Sequence, residues 1–219
     1  MRAKFSRAVG PGGAFPEGTR REIIFCGRSN VGKSSLLNAL TGVQGLARTS
    51  KTPGRTREIH FYEEGTDRFL VDLPGYGYAR VSQAARRAWG TLVESYLARA
   101  DRIALAILLV DARHPPFDTD LSLAASLASR GIPFLVALTK ADRATMSERA
   151  RALALVRTSI APAGGCILTS SRTGAGMREL AGWIDRAIEE ARSGRRAGNL
   201  IPPARSSGRT DLEGRRRTR

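Results

Sequence analysis

Apolar residues along the chain follow two rhythms. Short runs, unbroken or alternating, occur at 22–26 (Glu-Ile-Ile-Phe-Cys), 58–63, 67–72, 103–110, 132–138 and 165–169, and these predict strands. Between them apolar residues recur at helical spacing: Leu36, Leu37 and Leu40; then Trp89, Leu92, Val93, Tyr96 and Leu97 within 82–99; then segments near 119–129, 145–160 and 176–192. Gly65-Thr66 reads as a hairpin turn, so the strands on either side of it should be antiparallel. The run 103–110 is apolar throughout, as a central parallel strand should be. Strand and helix alternate, which predicts an α/β domain over 21–192. Two flanks fall outside the pattern. Residues 1–20 hold four glycines and two prolines and are expected to form an irregular lead-in. Residues 193–219 keep no apolar period and are expected to be disordered.

The first predicted strand runs into Gly27-Arg28-Ser29-Asn30-Val31-Gly32-Lys33-Ser34, which fits G-x-x-x-x-G-K-[ST]. Strand, glycine-rich loop and helix form the context that a phosphate cradle needs. Glycines let consecutive N–H groups converge on one phosphate, and the helix N-terminus adds partial positive charge. Lys33 is placed to reach the β- and γ-phosphates and Ser34 to hold Mg²⁺. Downstream, the strand 67–72 ends in Asp72-Leu73-Pro74-Gly75. A carboxylate there can hold Mg²⁺ through water, and the Gly75 N–H can face a γ-phosphate. The strand 132–138 ends in Thr139-Lys140-Ala141-Asp142. The Asp142 carboxylate can accept from guanine N1–H and N2–H₂, a pair that adenine lacks. Thr169-Ser170-Ser171 follows the last strand and can offer N–H groups to the guanine oxygen. The polar connection 42–57 is long enough to imply a functional loop, and either Thr52 or Thr56 could complete a Mg²⁺ shell from it.

Charge widens the picture. The chain has 36 basic and 20 acidic residues, a net of +16, and an anionic partner larger than a nucleotide is implied, most simply RNA. All but four of the cations are arginine, and two of the four lysines, Lys33 and Lys140, fall in the nucleotide boxes. The tail alone carries eight arginines against Asp211 and Glu213. No run approaches the roughly 20 apolar residues of a membrane span. With Cys26 and Cys166 in predicted core strands, a reducing cytoplasmic location is expected. His60 and His114 read as ordinary strand and loop residues.

Five boxes in order, GRSNVGKSSL at 27–36, TPGRT at 52–56, DLPGYGYA at 72–79, TKAD at 139–142 and TSS at 169–171, resemble the EngB (YihA/YsxC) family of bacterial ribosome-assembly GTPases, within the TrmE-Era-EngA-EngB-Septin-like P-loop GTPases. The likeness covers about 20–192. It implies a Ras-like six-stranded mixed sheet with the second strand antiparallel and helices on both faces. It implies GTP/GDP and Mg²⁺ as ligands, GTP hydrolysis, and a role in assembling the large (50S) ribosomal subunit that is needed for septation. By position it assigns nucleotide contacts to 27–34, to Gly54, Arg55, Thr56, Arg57 and Glu58, to 72–75, 139–142 and 169–171. It assigns Mg²⁺ to Ser34 and Thr56, favouring Thr56 over Thr52, and places Lys33, Thr56 and Gly75 at the reacting phosphate. Where many Ras relatives carry a water-orienting Gln, this chain has Tyr76, so slow intrinsic hydrolysis is expected. Asn30 resembles the P-loop Asn of relatives that use K⁺, and K⁺ stimulation is a further expectation. The expected partner is the large subunit or its rRNA, and the expected state is a monomer. The alternative is a GTP-dependent binding module with little turnover, acting on a division-site protein.

Overall fold

A computed structural model describes residues 2–47, 58–77, 83–160 and 164–194, apart from the side chains of Ala85 and Arg86. Thr52, Gly54, Arg55, Thr56 and Arg57 lie outside the described residues, as does the tail from 195 onward. The elements are β1 (Ala3–Val9), β2 (Arg21–Gly27), α1 (Lys33–Thr41), β3 (Ile59–Glu64), β4 (Arg68–Asp72), α2 (Gln83–Leu97), β5 (Ile103–Asp111), α3 (Asp118–Ser129), β6 (Phe134–Thr139), α4 (Met146–Ser159), β7 (Cys166–Leu168) and α5 (Met177–Arg192).

The strands form one sheet in the order β1-β3-β4-β2-β5-β6-β7. β3 runs antiparallel to both its neighbours, and β4, β2, β5, β6 and β7 are mutually parallel. Alternate residues of each central strand face opposite sides. Ile24 and Cys26 of β2 pack with Val93 and Tyr96 of α2 and Leu127 of α3. Ile23 and Phe25 pack with Leu36 and Leu37 of α1 and Trp183 and Ile184 of α5. Both faces of the sheet are therefore covered, which is why β5 reads as an unbroken apolar run. Trp89, Leu92, Val93, Tyr96 and Leu97 all pack into the first of these cores, as their spacing predicts.

The N-terminal expectation needs correcting. Residues Ala3–Val9 are not irregular but form β1, which makes the sheet seven-stranded instead of six. β1 pairs with β3 from Ala3↔Glu64 to Val9↔Ile59, with a register shift between Phe5 and Arg7. Only Ala3 and Val9 of this strand are buried. It is held by its backbone ladder and by Glu63, which accepts from Ser6 Oγ at 3.1 Å and lies 3.3 Å from Lys4 Nζ and 2.9 Å from Arg20. Among the described residues, no helix is long and apolar enough to cross a membrane.

Candidate functional site

The parallel strands all deliver their C-terminal ends to one edge of the sheet, where ligands bind in open α/β folds. Four of the five sequence boxes meet there, at the ends of β2, β4, β6 and β7. The loop after β2 begins at Gly27, where a Cβ would lie 2.7 Å from the Leu109 carbonyl of β5, so no side chain fits. It ends at Gly32, in left-handed conformation (φ 112°), which caps α1 without a side-chain hydrogen bond. The leading N–H groups of α1 are thus left open toward the loop. Asn30 is also left-handed (φ 59°), a conformation Asn tolerates better than most residues.

The loop is fastened from outside. Thr139 Oγ1 donates to the Val31 carbonyl at 2.7 Å and to Val110 O at 3.2 Å. Lys140 Nζ donates to Asn30 O at 2.7 Å and lies 3.0 Å from Asp111 Oδ2. Burial works to raise the Asp111 carboxyl, but bonds from Arg113 and Lys140 outweigh it and hold it well below the usual range. The first two residues of the Thr139–Asp142 box therefore brace the Gly27–Ser34 loop.

Inside the loop, Lys33 is buried, with Nζ 3.4 Å from the Gly27 carbonyl. Asp72, at the end of β4, is buried beside it. Burial raises its carboxyl above the ordinary value, countered by the charges of Lys33 and His60 and a hydrogen bond with Ser34. Its Oδ1 is buried without a hydrogen-bond partner. Among the described residues no cluster of three His, Cys, Asp or Glu side chains forms a metal cage. One carboxylate oxygen and one hydroxyl beside an anion cradle suit Mg²⁺, which takes few protein ligands and keeps waters and phosphate oxygens. The donor set therefore fits that ion.

The segment after Asp72 is clamped against the loop. Leu73 N–H donates to Phe25 O at 3.0 Å, and Ser29 N–H donates to Tyr76 O at 2.9 Å. Trp89 Nε1 donates to Pro74 O at 3.1 Å. A Cβ on Gly75 would lie 3.0 Å from Lys33 Nζ and from the Ser29 backbone, so the close approach of this segment to the loop favours glycine here. Tyr76 does not face the cradle. Its ring stands edge-on to Trp89, centroids 6.1 Å apart, and its hydroxyl donates to Asp120 Oδ1 at 2.7 Å. Asp120 Oδ2 accepts the Phe117 N–H at 2.9 Å, so Asp120 caps α3.

At the far end, Asp142 sits in the turn after β6. Ser170 Oγ donates to its Oδ1 at 2.5 Å, and Arg172 Nε donates to its Oδ2 at 2.7 Å. These bonds, Ser170 first, hold the carboxyl down at about 2. Ala141 N–H donates to Thr169 O at 3.0 Å, tying the two loops together. Thr169 is buried and bonds back to Leu138 O, whereas Ser171 is exposed at the rim. Gly176 lets this loop close on β7, since a Cβ there would meet Leu168 O at 2.1 Å. Glu58 stands apart at the entrance to β3, with His60 Nε2 3.7 Å from Oε2. Sequence reasoning missed Arg172 and the Tyr76–Asp120 bond. The first had a signal, a cation directly after Thr169-Ser170-Ser171.

The family model described as "50S ribosome-binding GTPase" matches residues 22–140. The fold and site define a P-loop GTPase. "Probable GTP-binding protein EngB" of Chlorobium luteolum is 42% identical over 194 residues, covering 89% of this chain and 94% of that protein. The protein of the same name from Thermotoga maritima is 46% identical over 180 residues, covering 81% and 92%. The chain belongs to the EngB family of GTP-binding proteins. A crystal structure of a probable GTP-binding protein engB superposes with a TM-score of 0.66 at 26% identity, covering 77% of this chain and 99% of that one. Era of Aquifex aeolicus, at 19% identity and a TM-score of 0.62, shares the fold, covering 78% of this chain and 57% of that one.

Proposed function

We propose that this GTPase is a Mg²⁺-dependent switch in assembly of the large ribosomal subunit, working in the cytoplasm, with slow intrinsic turnover and an effect on septation that follows from that role. The observation that carries the switch reading is the meeting of the buried Lys33, the unpartnered Asp72 Oδ1 and Gly75 within one loop cluster, with Asp142 at its far end. Asp142 reads guanine. Residues 27–34 cradle the phosphates, and Lys33 neutralises charge that builds on the leaving and transferred groups. Gly75 N–H meets the γ-phosphate and leaves it after hydrolysis, so the 72–77 segment senses the nucleotide state. Ser34, Thr56 and a water on Asp72 would hold Mg²⁺. Bound there, the ion neutralises β- and γ-phosphate oxygens. Thr169, Ser170 and Ser171 close over the base. Slow turnover is supported by Tyr76, whose hydroxyl is committed to Asp120 and does not orient a water.

For the partner, support comes from the net charge of +16 and from the description of the matched family. Affinity for an rRNA-rich particle would be largely electrostatic and fall steeply with salt. The test is sedimentation with ribosomal subunits under GDP and under a non-hydrolysable GTP analogue. Co-migration with large subunits only in the GTP-like state supports the proposal. Absence of co-migration in both states at low salt refutes it and favours the second reading, a low-turnover module that binds a division-site protein. The Tyr76–Asp120 contact is the observation behind that second reading.

A further inference from the structure

Both oxygens of Asp142 are already taken by the protein itself. Ser170 Oγ holds Oδ1 at 2.5 Å and Arg172 Nε holds Oδ2 at 2.7 Å. A guanine that donates N1–H and N2–H₂ to this carboxylate needs the same two oxygens. The two protein partners differ in how easily they can leave. Ser170 is buried, at 1% exposure, and its Oγ also accepts the Thr173 N–H at 3.2 Å. Its hydroxyl can stay while Oδ1 accepts a second donor, because a carboxylate oxygen has two acceptor directions. Arg172 is different. Its side chain is 67% exposed, its ion pair with Asp142 spans two loops, and it hangs from the turn Ser170–Gly174. Such an arm can swing into solvent at little cost.

We propose that Arg172 is a self-ligand of Asp142, a positioning residue that occupies the base-reading carboxylate in the empty protein and that guanine must displace on entry. The proposal rests on the reading of Asp142 as the guanine acceptor. Arg172 keeps the carboxylate aimed out of the turn and compensated while no base is present. It thereby slows base capture without contributing to the bound state.

Stopped-flow binding of ribose-labelled fluorescent GDP tests this. An exposed ion pair of this kind competes by a factor of about two to five. Arg172→Ala should therefore raise the association rate constant about two- to fivefold at about 50 mM salt and leave dissociation unchanged. Arg172→Lys should fall between. The difference between Arg172→Ala and the parent should close at about 500 mM salt, where the pair is screened. In an Asp142→Asn background, measured with the labelled xanthine nucleotide, Arg172→Ala should change nothing, because the charge it paired with is gone. Slower association, faster dissociation or an unchanged rate in Arg172→Ala would overturn the proposal and make Arg172 a ligand contact or a bystander. Failure of Asp142→Asn to exchange guanine for xanthine preference would instead refute the base reading beneath it. A thermal midpoint like the parent's confirms that each variant is folded.

Discussion

Replacing Tyr76 with phenylalanine removes one oxygen from the contact between the 72–77 segment and α3. That oxygen donates to Asp120 Oδ1 at 2.7 Å, in a place where Tyr76 is 8% and Asp120 1% exposed. A hydrogen bond to a charged acceptor contributes roughly 1.5–3 kcal/mol, and here its loss leaves a buried carboxylate with only the Phe117 N–H as a direct partner. At about 2 kcal/mol the thermal midpoint should drop by about 4–8 °C for a domain of this size. The pH dependence adds a sharper signature. Burial raises the Asp120 carboxyl above its ordinary value, and the Tyr76 hydroxyl and Phe117 N–H pull it back. A carboxyl raised in the folded state supports the fold below its unfolded value and loses that contribution as pH rises through the folded value. Removing the hydroxyl moves the folded value up again, so the deficit of Tyr76→Phe should widen with rising pH. Urea unfolding of the parent, Tyr76→Phe, Asp120→Asn and the double variant, at about pH 5 and about pH 8, measures it. A deficit under about 0.5 kcal/mol at both pH values, or one that persists undiminished in the Asp120→Asn background, would refute the bond as the coupling between these elements.

Four further outcomes follow from the site. Gly75→Ala should weaken binding of a GTP analogue by about 5- to 150-fold while sparing GDP, since the added Cβ meets Lys33 Nζ and the Ser29 backbone at 3.0 Å; equal affinities for both nucleotides would show that Gly75 does not sense the γ-phosphate. Asp142→Asn should exchange guanine for xanthine preference in competition binding. Guanine affinity should stay flat as pH falls from neutral toward the carboxylate range, because the Asp142 carboxyl lies at about 2 and stays ionised; loss of affinity beginning near pH 6 would contradict that. GTP turnover should be faster in KCl than in NaCl of equal strength, and equal rates would remove Asn30 as a K⁺ ligand.

The central sheet was legible because its strands are buried on both faces and read as apolar runs, and α2 and α5 because each shows one apolar stripe. The loops that meet after β2, β4 and β6 were legible because glycine, lysine and aspartate at fixed spacing mark them in the sequence. β1 was not. An edge strand that buries only Ala3 and Val9, with its register shifted between Phe5 and Arg7, shows no period of two, and its stability lies in backbone pairing and in Glu63. Arg172 and Asp120 escaped for a different reason. Their partners lie 30 and 44 residues away, and only the folded loops bring them together. Tyr76 was placed correctly along the chain but read for what it replaces, when its ring belongs to the helical layer.

The bonds from Thr139 and Lys140 to the carbonyls of Val31 and Asn30 have one more consequence. In a planar trans peptide the C=O and the following N–H point in opposite directions. Pinning those two oxygens outward therefore turns the N–H groups of Gly32 and Val31 the other way. The polarity of the loop is thus dictated by the segment that leads to Asp142, across 108 residues of sequence. Inorganic pyrophosphate has no base at all, yet its affinity should register the loss of the Thr139 hydroxyl.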